Sequence, residues 1–370
     1  MSKLQYSKLG EIADVNWGDT SVTKASYVPN GYPAFSATGC DGFLPYADFD
    51  REAIVLSAIG ARAGKTWFVD GKWSCIKNTI RFWSTSSEVD NRYLYWATAN
   101  EDIWPKRGAA QPFITIGDAR QLLIPLPDIE QQRRIAAILD QAEILRTQRR
   151  TALALLDSLT QSLFLDMFGD PVANPKGWPI QTLDEVTTKV TDGEHLNPAF
   201  TEVGMPIVMA GNVLDDRIDL DAAKRVGEPL GMQFRKKCGP ELGDLLIVGR
   251  GATIGRLCRV NVEETFCLMG SVILVKPDRT LLDERFLSGM LALPSMHAQL
   301  YKSSGSSAQQ AIYLKDVKRL KCPLPPLPLQ QTFATRIAAI EALKATHRRA
   351  LAALDALFAS LQQRAFTGAL

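Results

Sequence analysis

The chain has 370 residues, of which 46% are hydrophobic and 22% are charged, which is typical of a globular protein with two or three domains. Its net charge of +2 gives no bulk signal for nucleic-acid binding, so DNA contacts would need locally clustered bases. The sequence has no long apolar run and six scattered cysteines without a CxxC pair, so we expect a cytoplasmic protein without signal peptide, membrane span or metal.

The first predicted domain covers residues 1–127 and contains a glycine turn. Residues 54–65 read Ile-Val-Leu-Ser-Ala-Ile-Gly-Ala-Arg-Ala-Gly-Lys, a strand-like run that ends in two glycines and a base. Three residues separate the glycines, whereas a P-loop needs four, so we predict a structural turn and not a nucleotide site.

A first long helix is predicted over residues 128–169. Pro125 and Pro127 prevent an earlier start, Asp128 is a candidate N-cap, and Gly169 ends a stretch that has no proline or glycine. Apolar positions recur at alternating spacings of three and four residues, with one polar break at Arg149, as in a coiled coil. The seam comprises Ile135, Ile138, Ala142, Leu145, Arg149, Ala152, Leu156, Leu159 and Leu163.

Residues 170–179, rich in proline and glycine, are predicted to link this helix to a second domain at 180–325, which is followed by a second long helix at 326–370. That helix has a matching seam with polar breaks at Lys344 and His347. The two seams predict an antiparallel coiled coil that separates the domains with approximate two-fold symmetry. The alternative is that each helix packs only on its own domain.

The two halves are an internal duplication with a period near 198 residues, so the fold class predicted is two mixed α/β domains separated by two long helices. Residues 7–12 parallel 181–186, and residues 54–65 parallel 245–256. Shorter matches follow in the same order: Cys75-Ile76 with Cys267-Leu268, Ala110–Ile114 with Ala308–Ile312, and Pro125-Leu126-Pro127 with Pro323-Leu324-Pro325.

No catalytic motif is complete. Residues 197–200, Asn-Pro-Ala-Phe, differ from the Asn-Pro-Pro-Tyr/Phe signature of amino-methyltransferases, and no GxGxxG or GxSxG occurs. Three histidines offer little material for acid–base or metal chemistry. The chain is therefore predicted not to be an enzyme.

The strings that flank the helices carry a family resemblance. Residues 125–132 read Pro-Leu-Pro-Asp-Ile-Glu-Gln-Gln, residues 323–331 repeat the theme with Leu-Gln-Gln in place of Glu-Gln-Gln, and residues 165–178 form the junction. In this layout the chain resembles the specificity subunit of a type I restriction–modification system. The helix strings are specific, whereas the domains match only at their glycine turns and Ala-Gln segments.

The resemblance implies a non-catalytic DNA-binding subunit. Each domain would be a target-recognition domain that reads one half of an asymmetric, bipartite double-stranded DNA target. The helices would bind two modification (methyltransferase) subunits, and a restriction or motor subunit would join that core. S-adenosylmethionine and ATP would belong to those partners, so no cofactor is expected on this chain.

The duplicated loops supply the DNA-binding candidates, because both domains should dock by the same surface. Basic residues near glycines suit phosphates, and Asn, Gln, Arg or Lys can read base edges. These candidates are Arg62, Lys65, Lys77, Asn78, Arg107, Gln111, His195, Asn197, Asn212, Arg250, Arg256, Lys302, Ser303, Gln309 and Gln310.

Apolar residues outside the seams predict a face that partner subunits cover. These are Leu139, Ile144, Leu153, Leu155, Phe164 and Phe366. The alternative function, from a different class, is a duplicated ligand-binding protein or enzyme with pockets between domain and helix.

Overall fold

Two sets of short strands, each followed by a long helix, make up the chain. The computed structural model describes residues 5–215, 217–302 and 311–367. Residues 1–150 and 349–370 form one compact unit, called unit 1, and residues 151–348 form a second, called unit 2. Each long helix therefore contributes one part to each unit.

The described part of unit 1 begins with ten strands and three short α-helices. In chain order they are β1 (Tyr6–Lys8), α1 (Leu9–Ile12), β2 (Ala13–Trp17), β3 (Tyr32–Ser36), β4 (Gly39–Leu44), β5 (Phe49–Asp50), β6 (Ala53–Ser57), β7 (Thr66–Val69), β8 (Lys72–Cys75), β9 (Thr79–Ser84), α2 (Asn91–Thr98), α3 (Ile116–Gln121) and β10 (Leu123–Pro125). The first long helix, α4, runs over Ile129–Phe168. Its predicted N-cap is confirmed, since Asp128 Oδ1 accepts the Gln131 N–H at 2.9 Å.

The strands of unit 1 form two four-stranded sheets and one two-stranded ribbon. The sheet orders are β2-β9-β6-β7 and β4-β3-β8-β5, and β1 pairs with β10. One face of the first sheet packs on α2, the beginning of α4 and the end of the second long helix. Its other face packs on the second sheet through Phe35, Val55 and Trp73, so the layers are helices, sheet, sheet.

Unit 2 repeats this plan. Its elements are β11 (Ile180–Thr182), β12 (Thr187–Asp192), β13 (Met205–Val208), β14 (Lys224–Val226), α5 (Glu228–Lys237), β15 (Leu245–Val248), β16 (Leu257–Arg259), β17 (Cys267–Leu268), β18 (Val272–Pro277), α6 (Glu284–Leu291), α7 (Pro294–Lys302), α8 (Leu314–Lys318), β19 (Lys321–Pro323) and α9 (Leu327–Thr367). The sheet order β12-β18-β15-β16 matches β2-β9-β6-β7, and β14-β13-β17 matches β4-β3-β8. The mixed α/β fold with two long helices is thus confirmed.

The second long helix starts one residue after the boundary predicted at 326, and a proline lies in its first turn. α9 begins at Leu327, so Pro328 lies in its first turn. Proline is tolerated there because the first N–H groups of a helix have no intrahelical partner. None of the described helices combines the length and apolar character that crossing a membrane requires.

Backbone hydrogen bonds define the true register of the duplication. Leu9 N bonds to Leu122 O and Leu183 N bonds to Leu320 O, so the two donors, Leu9 and Leu183, are equivalent and lie 174 residues apart. The offset reaches 198 only at Ile114 and Ile312, which bond to Ala58 O and Gly249 O. The single period near 198 is therefore wrong for the first part of the repeat. Much of the difference arises between β13 and β15, where unit 2 contains α5.

One predicted match is shifted by one residue. Cys75 O accepts the Asp19 N–H and pairs with Phe35, whereas Leu268 O accepts the Glu194 N–H and pairs with Val208. Cys75 is therefore equivalent to Leu268 and not to Cys267. Cys75-Ile76 and Cys267-Leu268 have similar sequences, but the strand pairing aligns them with a shift of one residue.

Within each unit the two long helices run antiparallel. In unit 1, Arg146 Nε lies 2.6 Å from Asp355 Oδ1, and its guanidinium carbon lies 4.2 Å from the centre of the Phe358 ring. In unit 2, Lys344 Nζ lies 2.6 Å from Asp157 Oδ1, and Phe333 packs on Phe164. The polar break predicted at Lys344 is thus an interhelical ion pair.

Candidate nucleic-acid interface

The glycine turn of unit 1 displays two cations. Gly60 and Gly64 have φ values of +85° and +98°, which residues with a side chain rarely adopt. Backbone bonds from Gly64 N to Ser57 O and from Lys65 N to Arg62 O close the turn. The side chains of Arg62 and Lys65 are exposed. Arg62 Nη1 donates to Thr38 O at 2.5 Å, so this guanidinium is partly fixed.

Backbone hydrogen bonds bring three loops of unit 1 to one surface. Gly60 N donates to Pro112 O at 2.8 Å, and Ala58 N donates to Asn78 O at 3.0 Å. The predicted residues Arg62, Lys65, Lys77, Asn78 and Gln111 therefore belong to adjoining loops, and all are exposed. We call these five residues reading surface 1.

Arg107 lies at the base of the Gln111 loop, but its guanidinium is engaged. Its backbone exchanges two hydrogen bonds with Phe113. Nε and Nη2 donate to the two carboxylate oxygens of Asp118 at 2.8 and 2.7 Å. A bidentate contact of this kind fixes the side chain, so Arg107 supports the loop and would have to break this pair to read a base.

A cavity of about 340 Å³ opens beside reading surface 1. Lys77 and Asn78 form one wall, and Asn78 adopts a left-handed φ of +70°. The remaining lining residues are Thr23, Lys24, Ala25, Ser36, Ala37, Thr38 and Ile76. The cavity thus combines two amines, an amide and three hydroxyls, which are donor groups suited to base edges or phosphates.

Asp41 connects three further residues that line this cavity. Its carboxylate accepts hydrogen bonds from Lys24, Thr38, Ser36 and Tyr27. Burial would raise the pKa of Asp41, but these four hydrogen bonds outweigh it and hold the pKa at about 2. Neither Lys24 nor Asp41 was a sequence candidate, because the network joins segments that show no motif.

Unit 2 builds the same glycine turn with different side chains. Gly251 and Gly255 have φ values of +106° and +80°. The bonds from Gly255 N to Val248 O and from Arg256 N to Thr253 O repeat those of unit 1. Thr253 is equivalent to Arg62. The exposed Arg250 occupies the position of Ile59, because both residues form the same isolated bridge to the following loop.

Arg256 is less available than its sequence position suggests. Its side chain is 28% exposed, Nε lies 3.0 Å from Asp215 Oδ1, and Nη1 donates to Val213 O at 3.2 Å. The equivalent Lys65 is exposed. Arg256 therefore connects two loops of unit 2 in the present structure.

His195 and Asn197 are exposed on a neighbouring loop of unit 2. His195 Nε2 lies 2.8 Å from Asp192 Oδ2, and Asp192 Oδ1 lies 3.4 Å from Lys237 Nζ. Gly270 packs directly beneath the imidazole, since a Cβ built there would lie 2.3 Å from His195 Nδ1. We call Arg250, His195 and Asn197 reading surface 2.

The prediction for Asn212 is wrong. Its side chain is 7% exposed, and Oδ1 accepts the Met209 N–H at 3.0 Å within a tight 3₁₀ turn. A side chain that is buried and used as a turn cap cannot reach a base edge. Ser303, Gln309, Gln310 and the side chain of Lys302 lie outside the described residues.

The structure corrects half of the predicted partner-binding face. Leu139 is 0% exposed and Phe164 is 1% exposed, so both belong to the chain's own cores. Phe366 packs on Tyr93 at 5.8 Å between ring centres, and Leu153 is partly buried. Ile144 and Leu155 are 50% and 65% exposed and remain candidates for the partner-binding face.

Among the described residues, no group of three His, Cys, Asp or Glu side chains is placed to hold a metal ion.

Comparisons with known proteins identify a family that matches most of this chain. The family described as the type I restriction modification DNA specificity domain matches residues 1–154 and 175–355. The specificity subunit of the Escherichia coli type I restriction enzyme EcoBI is 24% identical over 402 aligned residues, which cover 97% of this chain and 79% of that protein.

Solved structures share the fold. The crystal structure of a type I restriction–modification S subunit from M. genitalium has a TM-score of 0.67 at 16% identity and covers 99% of this chain and 97% of its own. A chain from a structure on complex assembly and conformational transition of the type I R-M system has a TM-score of 0.54 at 20% identity, with 100% of both chains covered.

Proposed function

The chain belongs to the family of type I restriction–modification DNA specificity domains, and on that premise we propose that it reads a bipartite DNA target through reading surfaces 1 and 2. The observation that carries this proposal is the pair of equivalent glycine turns. Each turn has the same backbone hydrogen bonds and presents different exposed side chains. Two scaffolds with different side chains suit two unrelated half-sites.

In this proposal, one set of residues binds the DNA phosphate backbone and another set reads the bases. Arg62 and Lys65 on the glycine turn are placed to contact phosphates, which fix register without reading sequence. Gln111, Lys77 and Asn78 carry groups that distinguish adenine or guanine in the major groove. In unit 2, Arg250, His195 and Asn197 take these roles, together with the segment that follows Lys302.

The long helices provide the assembly part of the proposed function. Ile144, Leu145 and Leu357 are exposed in unit 1, and Leu155 and Leu159 are exposed in unit 2. Aliphatic side chains left exposed on a helix are typical of surfaces that a second protein covers. We assign this role to modification subunits, in keeping with the assembly described for the similar type I structure, and expect a restriction or motor subunit to join them.

The chain itself is proposed to be non-catalytic, with methyl transfer and ATP hydrolysis carried out by its partners. The ligand-binding or enzyme alternative needs a pocket between a domain and a helix. Among the described residues, the cavity beside reading surface 1 is lined by residues 23–78 and by neither long helix, so it does not favour that alternative.

Selection from randomised duplex DNA tests the proposal. The full-length chain, alone and with a co-expressed modification subunit, should enrich two short motifs separated by unread base pairs. The double variant Arg62→Ala/Gln111→Ala should weaken selection of one motif and leave the other unchanged. A single continuous motif, no motif, or methyl transfer by the purified chain alone would refute the proposal.

A further inference from the structure

The duplication places one position of each unit at the same point of the two surfaces. Asp19 forms a parallel bridge to Ile76, and Glu194 forms the equivalent bridge to Met269. Asp19 N donates to Cys75 O at 2.8 Å, and Glu194 N donates to Leu268 O at 2.9 Å. The next residue is Lys77 in unit 1 and Gly270 in unit 2.

In unit 2 this position is occupied by an imidazole from another loop. A Cβ on Gly270 would lie 2.3 Å from His195 Nδ1 and 2.5 Å from Cε1, so only glycine leaves room for the ring. The φ of Gly270 is not positive, so its backbone does not demand glycine. What glycine provides here is space for His195.

Two neighbours hold the ring of His195 in place. Asp192 Oδ2 lies 2.8 Å from Nε2, and Lys237 lies 3.4 Å from the other oxygen of the same carboxylate. Lys237 Nζ also donates to Gly193 O at 2.9 Å, which fixes the charged network to the backbone. His195 nevertheless keeps a side chain that is 54% exposed, so the fixed ring faces solvent.

In unit 1 the same position carries a flexible amine. Lys77 is exposed at the wall of the cavity, and its side chain has no hydrogen-bond partner within the described part of the chain. An ammonium group donates only, whereas the His195 imidazole has a fixed plane and, with Nε2 engaged by Asp192, offers Nδ1 to a partner. The two groups therefore favour different base edges.

We propose that this position is a specificity-determining contact of each half-site, made by Lys77 in unit 1 and by the His195 ring seated over Gly270 in unit 2. The inference rests on the proposed function, because it assumes that both surfaces meet DNA. His195 would contact the DNA, and Gly270 and Asp192 would be positioning residues.

Four variants in the DNA selection test this assignment. His195→Ala and Gly270→Ala should relax the base preference at the same position of one half-site by about tenfold, since a lost base contact costs roughly 1–2 decades of discrimination. Gly270→Ala leaves the imidazole present but displaces it, so agreement between the two variants identifies the ring's location as the cause. Asp192→Asn should give a weaker change there. Lys77→Ala should relax one position of the other half-site.

Two matched substitutions control for added bulk and lost charge. Gly227→Ala adds a methyl group where no atom lies within 4 Å, and Lys236→Ala removes an exposed cation from α5. Both should preserve the selected motifs, and all variants should keep the wild-type melting temperature.

The possible results separate the inference from the proposed function. A two-part wild-type motif that His195→Ala and Lys77→Ala leave unchanged overturns the inference, together with the reading roles of these two residues, and leaves two-part recognition standing. If His195→Ala changes the base preference but Gly270→Ala does not, the positioning role of Gly270 is overturned. A wild-type chain that selects no two-part motif overturns both the inference and the proposed function.

Discussion

A buried glutamine lies at the start of each long helix, and we expect its substitution to lower the stability of its unit more than that of any other polar residue. Gln132 is 0% exposed, its Oε1 accepts the Asp90 N–H at 3.0 Å, and its Nε2 donates to Glu88 O and Pro127 O at 2.9 and 2.8 Å. The same three contacts recur at Gln330, with Asp283 N at 2.9 Å, Leu281 O at 3.1 Å and Pro325 O at 2.8 Å. The substitution Gln132→Leu keeps the side-chain size and removes all three.

The cost of Gln132→Leu follows from the backbone groups that lose their partner. A buried polar group left unsatisfied costs about 1–3 kcal/mol. Glu88 is exposed, so its carbonyl can turn to water, which leaves the Asp90 amide and the Pro127 carbonyl as the main losses. We therefore expect the free energy of unfolding of unit 1 to fall by about 3 kcal/mol, less a small gain from burying an apolar side chain.

Tryptophan fluorescence during urea unfolding measures this loss, because six of the seven tryptophans lie in unit 1 and only Trp178 lies in unit 2. At an m-value of roughly 2 kcal/mol/M, the midpoint should fall by about 1.5 M. Gln141→Leu is the matched control, since Gln141 is exposed on the same helix and should change stability by less than about 0.5 kcal/mol. Equal midpoints for Gln132→Leu and wild type, or equal losses for the two variants, would refute the reasoning.

Three further predictions concern reading surface 1 and the cavity beside it. Arg62→Ala should weaken binding to all duplexes and reduce the slope of log K against log salt by about one, as loss of one phosphate contact requires; an unchanged slope in filter-binding titrations would rule this contact out. Gln111→Ala should lower specific affinity by about 1–3 kcal/mol and leave nonspecific affinity unchanged in competition gel shifts, and equal losses on both kinds of DNA would contradict base reading. Because the pKa of Asp41 is held at about 2, below its ordinary value of 3.8, its stabilising contribution is present above about pH 4 and lost as the pH falls toward 2; Asp41→Asn should flatten the acid limb of the stability profile measured by thermal unfolding, and an unaltered limb would argue against the network.

The sequence predicted the long helices well because their limits are set by local chemistry. Proline flanks and a run without proline or glycine define α4 almost to the residue, and Asp128 caps it as predicted. The glycine turns could also be predicted from the sequence, since a positive φ needs glycine wherever the chain makes this turn. Both features are encoded within a few consecutive residues.

Contacts between distant segments were not accessible in this way. The heptad pattern describes only the seam between the helices, but each unit also packs its own globular core against them. For this reason the pattern assigns Leu139, Phe164 and Phe366 to a partner face, although the chain buries Leu139 and Phe164 fully and Phe366 in part. Conversely, Leu145 and Leu159, which were assigned to the seam, are 37% and 49% exposed. Asp41 and Gly270 were missed because their partners come from other loops.

The chemistry of the repeated contacts explains how two reading surfaces can diverge on one fold. Backbone amides and carbonyls form the glycine turns and the parallel bridges, so they do not depend on the identity of the neighbouring side chains. Equivalent positions therefore carry Arg62 or Thr253, and Lys77 or Gly270, without altering the turns that display them. A substitution at such a position changes the exposed groups, and on the proposed function the groups offered to DNA, at little cost in stability, since exposed side chains contribute little to folding. The buried glutamines show the opposite behaviour, because their side chains supply the contact itself, and both units retain the same residue there.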